Sequence, residues 1–311
     1  MNTRLESKRG FVVSLLLMQT LVLLIGGFVG LRIMQDQTTP ALLLTFIGVG
    51  VSVLLLTLLV SYSVARRYET ALEQTNVGLE HEVATRTRGH LAARNALIFG
   101  LAKLADSRDP DTGAHLERMC VFSELIARQL QRDGNHPEVT DAWVHDLRLA
   151  AALHDIGKVG IADSALRKPG KLDPDERKEI ERHPLIAADT LLAIHQQMGS
   201  DPLVASCVQV ALYHHERWDG AGYPFHFTGD EIPLAARIVA VADVYDALTS
   251  KRVYKDAIPH DAALTMVRDS AGSHFDPAVV AAFTAVADEI NRRRKDLKEA
   301  GLIELSQIFG E

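Results

Sequence analysis

His154-Asp155-Ile156-Gly157-Lys158 closes the largely apolar run Leu147 to Leu153. An imidazole and a carboxylate at the end of such a run are costly unless something satisfies them. Gly157 and Lys158 follow at once, so an imidazole, a carboxylate and an ammonium stand within about one helical turn of each other. Taken alone, the pair reads most simply as a helix C-terminus with a satisfied histidine and a glycine cap. Residues elsewhere in the chain turn it into a candidate metallohydrolase centre.

Working outward, Arg108-Asp109-Pro110-Asp111-Thr112-Gly113-Ala114-His115 sets Asp111 and His115 four apart, on one side of a helix start and within reach of one cation. By itself Asp111 reads more simply as a cap. His183, in Arg182-His183-Pro184, is a lone histidine before a helix-interrupting proline, with a structural role as its default. His214-His215 ends the apolar run Val204 to Leu212 and opens the loop Glu216-Arg217-Trp218-Asp219-Gly220-Ala221-Gly222-Tyr223-Pro224. Asp243 sits in Ile238 to Val244, a segment too apolar to hold an unpaired carboxylate cheaply, and a metal is a natural partner. Asp246 lies one turn further on. Arg252 and Lys255, three apart, form a cationic pair suited to a phosphate. Five histidines and two or three aspartates, with no thiolate, are enough for two or three ions. Nitrogen and oxygen donors fit iron, manganese or zinc, and a bridged site favours iron or manganese.

Beyond Leu97 the apolar spacing is mostly helical and no alternating run demands a sheet, so the expectation is an all-α domain. Helices are predicted over about 91–106, 114–133, 140–155, 174–198 with a break near Pro184, 202–215, 234–250, 260–271 and 276–298. Asp173-Pro174, Pro259 and Asp276-Pro277 are start signals.

The front of the chain is different. Residues 11–33 and 41–64 are two runs without acidic residues or lysine, each long enough to cross a bilayer, joined by a short loop. Arg4, Lys8 and Arg9 precede the first run and Arg66 and Arg67 follow the second, which places both termini of the hairpin in the cytoplasm. Residues 1–10 are then a cytoplasmic N-terminus. Over 65–95 the composition turns to Glu, Thr, Arg, Ala and Leu, and Leu72, Asn76, Leu79 and Val83 are spaced as a short heptad seam. A helical coiled-coil connector and a parallel homodimer follow, with Asn76 favouring two strands in register; a single solvated helix is the alternative. The catalytic domain is expected over 96–298 and a tail over 299–311.

The 311 residues carry a net charge of −7, which argues against a nucleic-acid coat. Cys120 and Cys207 form no CxxC and read as buried thiols in a reducing compartment.

From about Ala105 to Phe283 these segments resemble the HD-GYP phosphodiesterases of bacterial cyclic di-GMP signalling, within the HD phosphohydrolases. The resemblance rests on Asp111 to His115, His154 to Lys158, His183-Pro184, His214 to Pro224, Ala242 to Lys255 and Ser273-His274-Phe275-Asp276-Pro277. It implies an HD-domain helical bundle with ions held by His115, His154, Asp155, His183, His214, His215 and Asp243, Asp155 bridging. It implies also that Lys158, Tyr223, Arg252 and Lys255 touch the cyclic dinucleotide, and Asp219, Gly222 and Asp246 are counted with them as candidate substrate contacts. Members with three ions tend to carry Glu where Asp111 stands, so Asp111 decides the third ion. The implied reaction is hydrolysis of cyclic di-GMP to pGpG and/or GMP by a metal-bridging hydroxide, with Asp155 and Lys158 as catalytic residues. A silent cyclic di-GMP receptor signalling through protein partners, or an HD hydrolase for another nucleotide, are the competing classes. The implied location is the bacterial inner membrane, with the catalytic domain in the cytoplasm.

Overall fold

The computed structural model describes residues 19–20, 22–32, 40–108, 114–199, 201–251 and 256–299. Asp111, Arg252 and Lys255 lie outside the described residues, as do residues 1–18, the loop after the first apolar run, and the tail beyond 299. The chain divides into two compact units, Met1–Thr87 and Arg88–Glu311.

The first unit contains α1 (Val22–Arg32) and the start of α2, an uninterrupted helix over Pro40–Asp106. Among the described residues α2 is the one helix long and apolar enough to cross a membrane. In its apolar part the hydroxyls of Thr45, Ser52, Thr57 and Ser63 donate to carbonyls one turn back at 2.5–2.8 Å. That is the arrangement an apolar solvent requires of polar groups.

The second unit is all α-helical among the described residues, as the spacing predicts, with only two isolated bridges of extended backbone. In order follow α3 (His115–Asp133), α4 (Asp141–Ala152), a 3-10 turn (Ile156–Gly160), α5 (Asp163–Leu166), α6 (Pro174–Ile180), α7 (His183–Met198), α8 (Pro202–Tyr213), α9 (Leu234–Thr249), α10 (His260–Asp269) and α11 (Pro277–Glu299). The boundaries have local causes. Asp173 caps α6 in a capping box with Glu176, and Asp201 accepts the Leu203 N–H at 2.9 Å to start α8. Thr140 does the same for α4, and Gly134, at φ 73°, closes α3 in the left-handed conformation. The predicted break near Pro184 is real: α6 stops at Ile180 and α7 starts at His183, with the proline in its first turn, where a missing N–H costs nothing.

Helix α3 packs against α4, α9 and α11, and α8 against α4 and α7. Tyr245 on α9, Phe122 on α3 and Phe283 on α11 meet at ring-centroid distances of 5.8 and 5.1 Å, all three fully buried. The segment of α2 nearest the domain presents Asn95, Phe99, Ala102 and Ala105 inward. Arg94 pairs there with Asp201 at 3.2 Å and Asn95 lies 3.4 Å from His145, so this face is part of the domain upstream of the expected start at 96.

Candidate metal centre

The site is built where the end of α4, the start of α3, the start of α7, the end of α8 and the middle of α9 converge. His154 follows α4 and Asp155 opens the 3-10 turn. Gly157 is what lets this turn lie against α7: a Cβ there would stand 2.0 Å from the His183 carbonyl oxygen and 2.7 Å from the Ala187 nitrogen. Its role is close approach rather than a helix cap.

Two groups of donors result. Asp155, His183, His214 and His215 each offer an atom within 4.8 Å of the others, and so do His115, His154 and Asp243. The groups meet at His154 Nε2 and Asp155 Oδ2, 3.1 Å apart. Asp155 Oδ1 lies 3.2 Å from His183 Nε2 and 3.7 Å from His214 Nε2. All seven residues that the sequence nominated, apart from Asp111, are thus brought together.

The back of each ring shows what the front is for. His154 Nδ1–H donates to the Ala151 carbonyl at 2.8 Å, His183 Nδ1–H to Ile180 at 2.8 Å and His214 Nδ1–H to Val210 at 3.0 Å. His115 Nδ1–H donates to Asp246 Oδ2 at 2.7 Å. An acceptor behind Nδ1 leaves the lone pair on Nε2, the atom that faces the centre. There Nε2 of His154, His183 and His214 and Oδ1 of Asp155 are buried without a hydrogen-bond partner. Four unmet buried polar atoms, three in the first group and His154 Nε2 in the second, fit divalent cations, and the donor set, imidazole and carboxylate, suits them.

Electrostatics agree. Burial pushes the Asp155 carboxyl up, but Lys158, with Nζ 2.7 Å away, and His154 hold it well below the usual carboxylate range. Burial, reinforced by neighbouring imidazoles, pushes His214 and His215 down, so both are neutral donors in ordinary conditions. Burial also opposes protonation of His154, yet Asp155 beside it carries that ring up to about 9.

Two of the nominated substrate contacts are otherwise engaged. Asp246 is 2% exposed and turned inward: besides His115 it accepts from Arg118 Nε and, at 2.9 Å, from Arg118 Nη2. It orients His115 instead of facing solvent. Asp219 has both oxygens on Arg217, at 3.0 and 2.7 Å, and also accepts the Ala221 N–H at 3.0 Å. It organises its own loop. Gly222 is required by close packing, since a Cβ would stand 2.4 Å from the Arg217 nitrogen and 2.6 Å from the His215 oxygen. That packing seats Tyr223 on His215, stacked at 4.7 Å and 25°.

Arg118 escaped the sequence reading although it lies three residues after His115, the spacing of one helix face. Arg108 escaped it too: its guanidinium donates to the carbonyls of Val159 and Ile161 and to Asp163 at 2.6 Å, clamping the segment after Lys158. Asp106, at the end of α2, carries a carboxyl pushed up by burial to about 6, against the pull of His115 and His154.

Comparison with known proteins falls on this same part of the chain. The family model described as HD domain matches residues 100–279. A cyclic di-GMP phosphodiesterase of Vibrio cholerae is 43% identical over 208 residues, 67% of this chain and 42% of the relative. A probable cyclic di-GMP phosphodiesterase of the same organism is 39% identical over 248 residues, 79% of this chain and 54% of the relative. A 3'3'-cGAMP-specific phosphodiesterase 3, also from Vibrio cholerae, is 36% identical over 220 residues, 70% of this chain and 45% of the relative. The chain therefore spans about half the length of the curated relatives it matches. With more than half of its residues under the family model and the helical bundle and its histidine-aspartate centre in place, the chain belongs to the HD domain family.

Proposed function

We propose that this chain is a metal-dependent phosphodiesterase of the HD-GYP type that hydrolyses cyclic di-GMP to pGpG and/or GMP. The observation that carries the reading is the set of imidazoles whose Nδ1–H groups are committed behind them while Nε2 atoms and Asp155 converge unpartnered in front. Relatives named as cyclic di-GMP phosphodiesterases support the substrate.

In this reading His115, His154 and Asp243 would hold one ion and His183, His214 and His215 a second, with Asp155 placed to contribute to both. Asp111 decides whether a third is held. Iron or manganese suits the donors. Such ions supply Lewis acidity and lower the pKa of a bound water. The protein's own groups do the rest. Lys158, paired with Asp155 at 2.7 Å, adds a positive charge where phosphoryl oxygens gain negative charge. Arg252 and Lys255 hold a second phosphate, and Tyr223 forms the rim over His215. In a chain of net charge −7, this local field draws the dianion.

A second substrate, 3'3'-cGAMP, has a specific observation in its favour, the relative named for it. We read the domains as a membrane hairpin over 11–33 and 41–64, a coiled-coil connector from 65, and a catalytic domain up to 298 that takes in Arg94 and Asn95 of α2. The exposed apolar surface of α2, from Leu42 to Leu59, supports anchoring in the bacterial inner membrane, and Asn76 in the connector supports a parallel homodimer. The test is the full chain in detergent, loaded with iron or manganese without air and incubated with each cyclic dinucleotide. Turnover to linear or mononucleotide product is expected; saturable binding without turnover means a silent receptor and overturns the enzyme.

A further inference from the structure

The loop after His214-His215 is fixed in place by groups that hold no ion. On one side the amides of Trp218 and Asp219 donate to the carbonyls of His274 at 3.1 Å and Ser273 at 2.9 Å, tying the loop to the turn before α11. Beneath it lies Glu216, only 2% exposed, whose Oε1 accepts the Phe225 N–H at 2.7 Å. That bond spans the loop, from its first stem to the residue just past Tyr223-Pro224. Tyr223 is held in addition by its own N–H, which donates to the His215 carbonyl at 3.3 Å.

The other half of Glu216 is unexplained by these contacts. Its Oε2 is buried with no hydrogen-bond partner among the described residues, and so is Nε of Arg237. Nη1 of Arg237 is engaged by Asp276 at 2.7 Å and Asp230 at 2.9 Å, and its guanidinium lies 5.6 Å from the Trp218 ring centre. Glu216, Trp218, Arg237, His274 and Asp276 all line one cavity of about 10 Å³, the space of about one water molecule. A carboxylate and a guanidinium lining the same small space are a pair for a single bridging water, which donates to Oε2 and accepts from Nε–H.

We propose that Glu216 is the positioning residue of this loop, holding Tyr223 over His215 through the Phe225 amide, and that one buried water joins Glu216 Oε2 to Arg237 Nε. The loop is thereby fastened to α9 and to the start of α11 instead of depending on the ions beside it. The consequence for substrate rests on the phosphodiesterase reading, in which Tyr223 borders the cyclic dinucleotide.

The test compares the full-length, metal-loaded protein with E216Q, which keeps a carbonyl acceptor, and E216A, which has none. Amide hydrogen exchange at Phe225 is expected to speed up at least about tenfold in E216A and to change little in E216Q, with Trp218 and Asp219 as unchanged references. KM for cyclic di-GMP is expected to rise about 10- to 100-fold in E216A, with kcat and metal content within about twofold of the parent. In a Y223A background E216A adds little further, because the group it positions is gone. Should E216A fail to fold, F225P removes the same bond from the donor side and is read by KM and metal content. Undiminished protection of Phe225 in E216A, an unchanged KM, or loss of metal each overturns the positioning role. A water-resolving crystal structure with nothing between Oε2 and Nε overturns the bridge. Absence of turnover in the parent protein would count against the function proposed above while leaving the exchange measurement readable.

Discussion

Replacing Gly157 with Ala tests the geometry of the centre without touching any ligand. The added Cβ would stand 2.0 Å from the His183 carbonyl oxygen, where ordinary contact begins near 3.4 Å, so the 3-10 turn and the start of α7 must part by more than 1 Å. All three obstructing atoms, the His183 carbonyl oxygen and carbon and the Ala187 nitrogen, are backbone, and no side chain can swing aside. Ligand distances in a metal site tolerate only about 0.2 Å. Asp155 and His183 sit on the two pieces that are forced apart, so the ion held by Asp155, His183, His214 and His215 is lost first. His115, His154 and Asp243 do not cross that contact. The expected outcome is a folded protein with about half the parent's metal, phosphodiesterase activity near background, and a stability loss of about 1–3 kcal/mol from overpacking. Metal analysis by mass spectrometry, circular dichroism and thermal unfolding check it. Full metal stoichiometry at unchanged helix content would refute the reasoning.

Four further outcomes follow from named residues. Asp246→Asn turns an amide N–H toward either Arg118 or His115, both donors; metal affinity measured against a chelator should fall about 10- to 100-fold, with a destabilisation of about 3–5 kcal/mol. The same residue gives an acid limb: burial raises its pKa, but His115 and Arg118 hold it at about 2, below its unfolded value. Its contribution is therefore present above about pH 4 and lost as pH falls toward 2, a loss D246N should lack in acid unfolding. His154, with a pKa of about 9, must release a proton to bind metal, so affinity for the ion should rise with pH, by up to about tenfold per unit, until about 9; a flat profile would contradict the pairing with Asp155. For the proposed dimer, Asn76→Leu should leave association intact and relax register and oligomer number; a monomeric parent at every concentration in detergent would exclude the seam.

The all-α class, the helix starts at Asp173-Pro174 and Asp201-Pro202 and the break before His183 were legible because caps and prolines act over a few residues. Six of the seven ligands implied by the family resemblance are histidines or aspartates placed at the ends of apolar helices or turns, and Asp243 announced itself as a carboxylate where none is cheap. What each remaining polar group does was not legible. Asp246 and Asp219 carry the same side chain, each within one of the motif segments. One is buried against Arg118 and His115, more than 120 residues away, and the other pairs with Arg217 two residues away. Gly157 looked like a cap and serves as a gap for α7. Helix type and the inventory of candidate donors are thus determined by the sequence, since periodicity, capping and donor chemistry are properties of short segments. Which carboxylate faces an ion, which orients a histidine and which holds a loop is decided by tertiary structure, because a buried charge takes its role from the partner that packing brings to it.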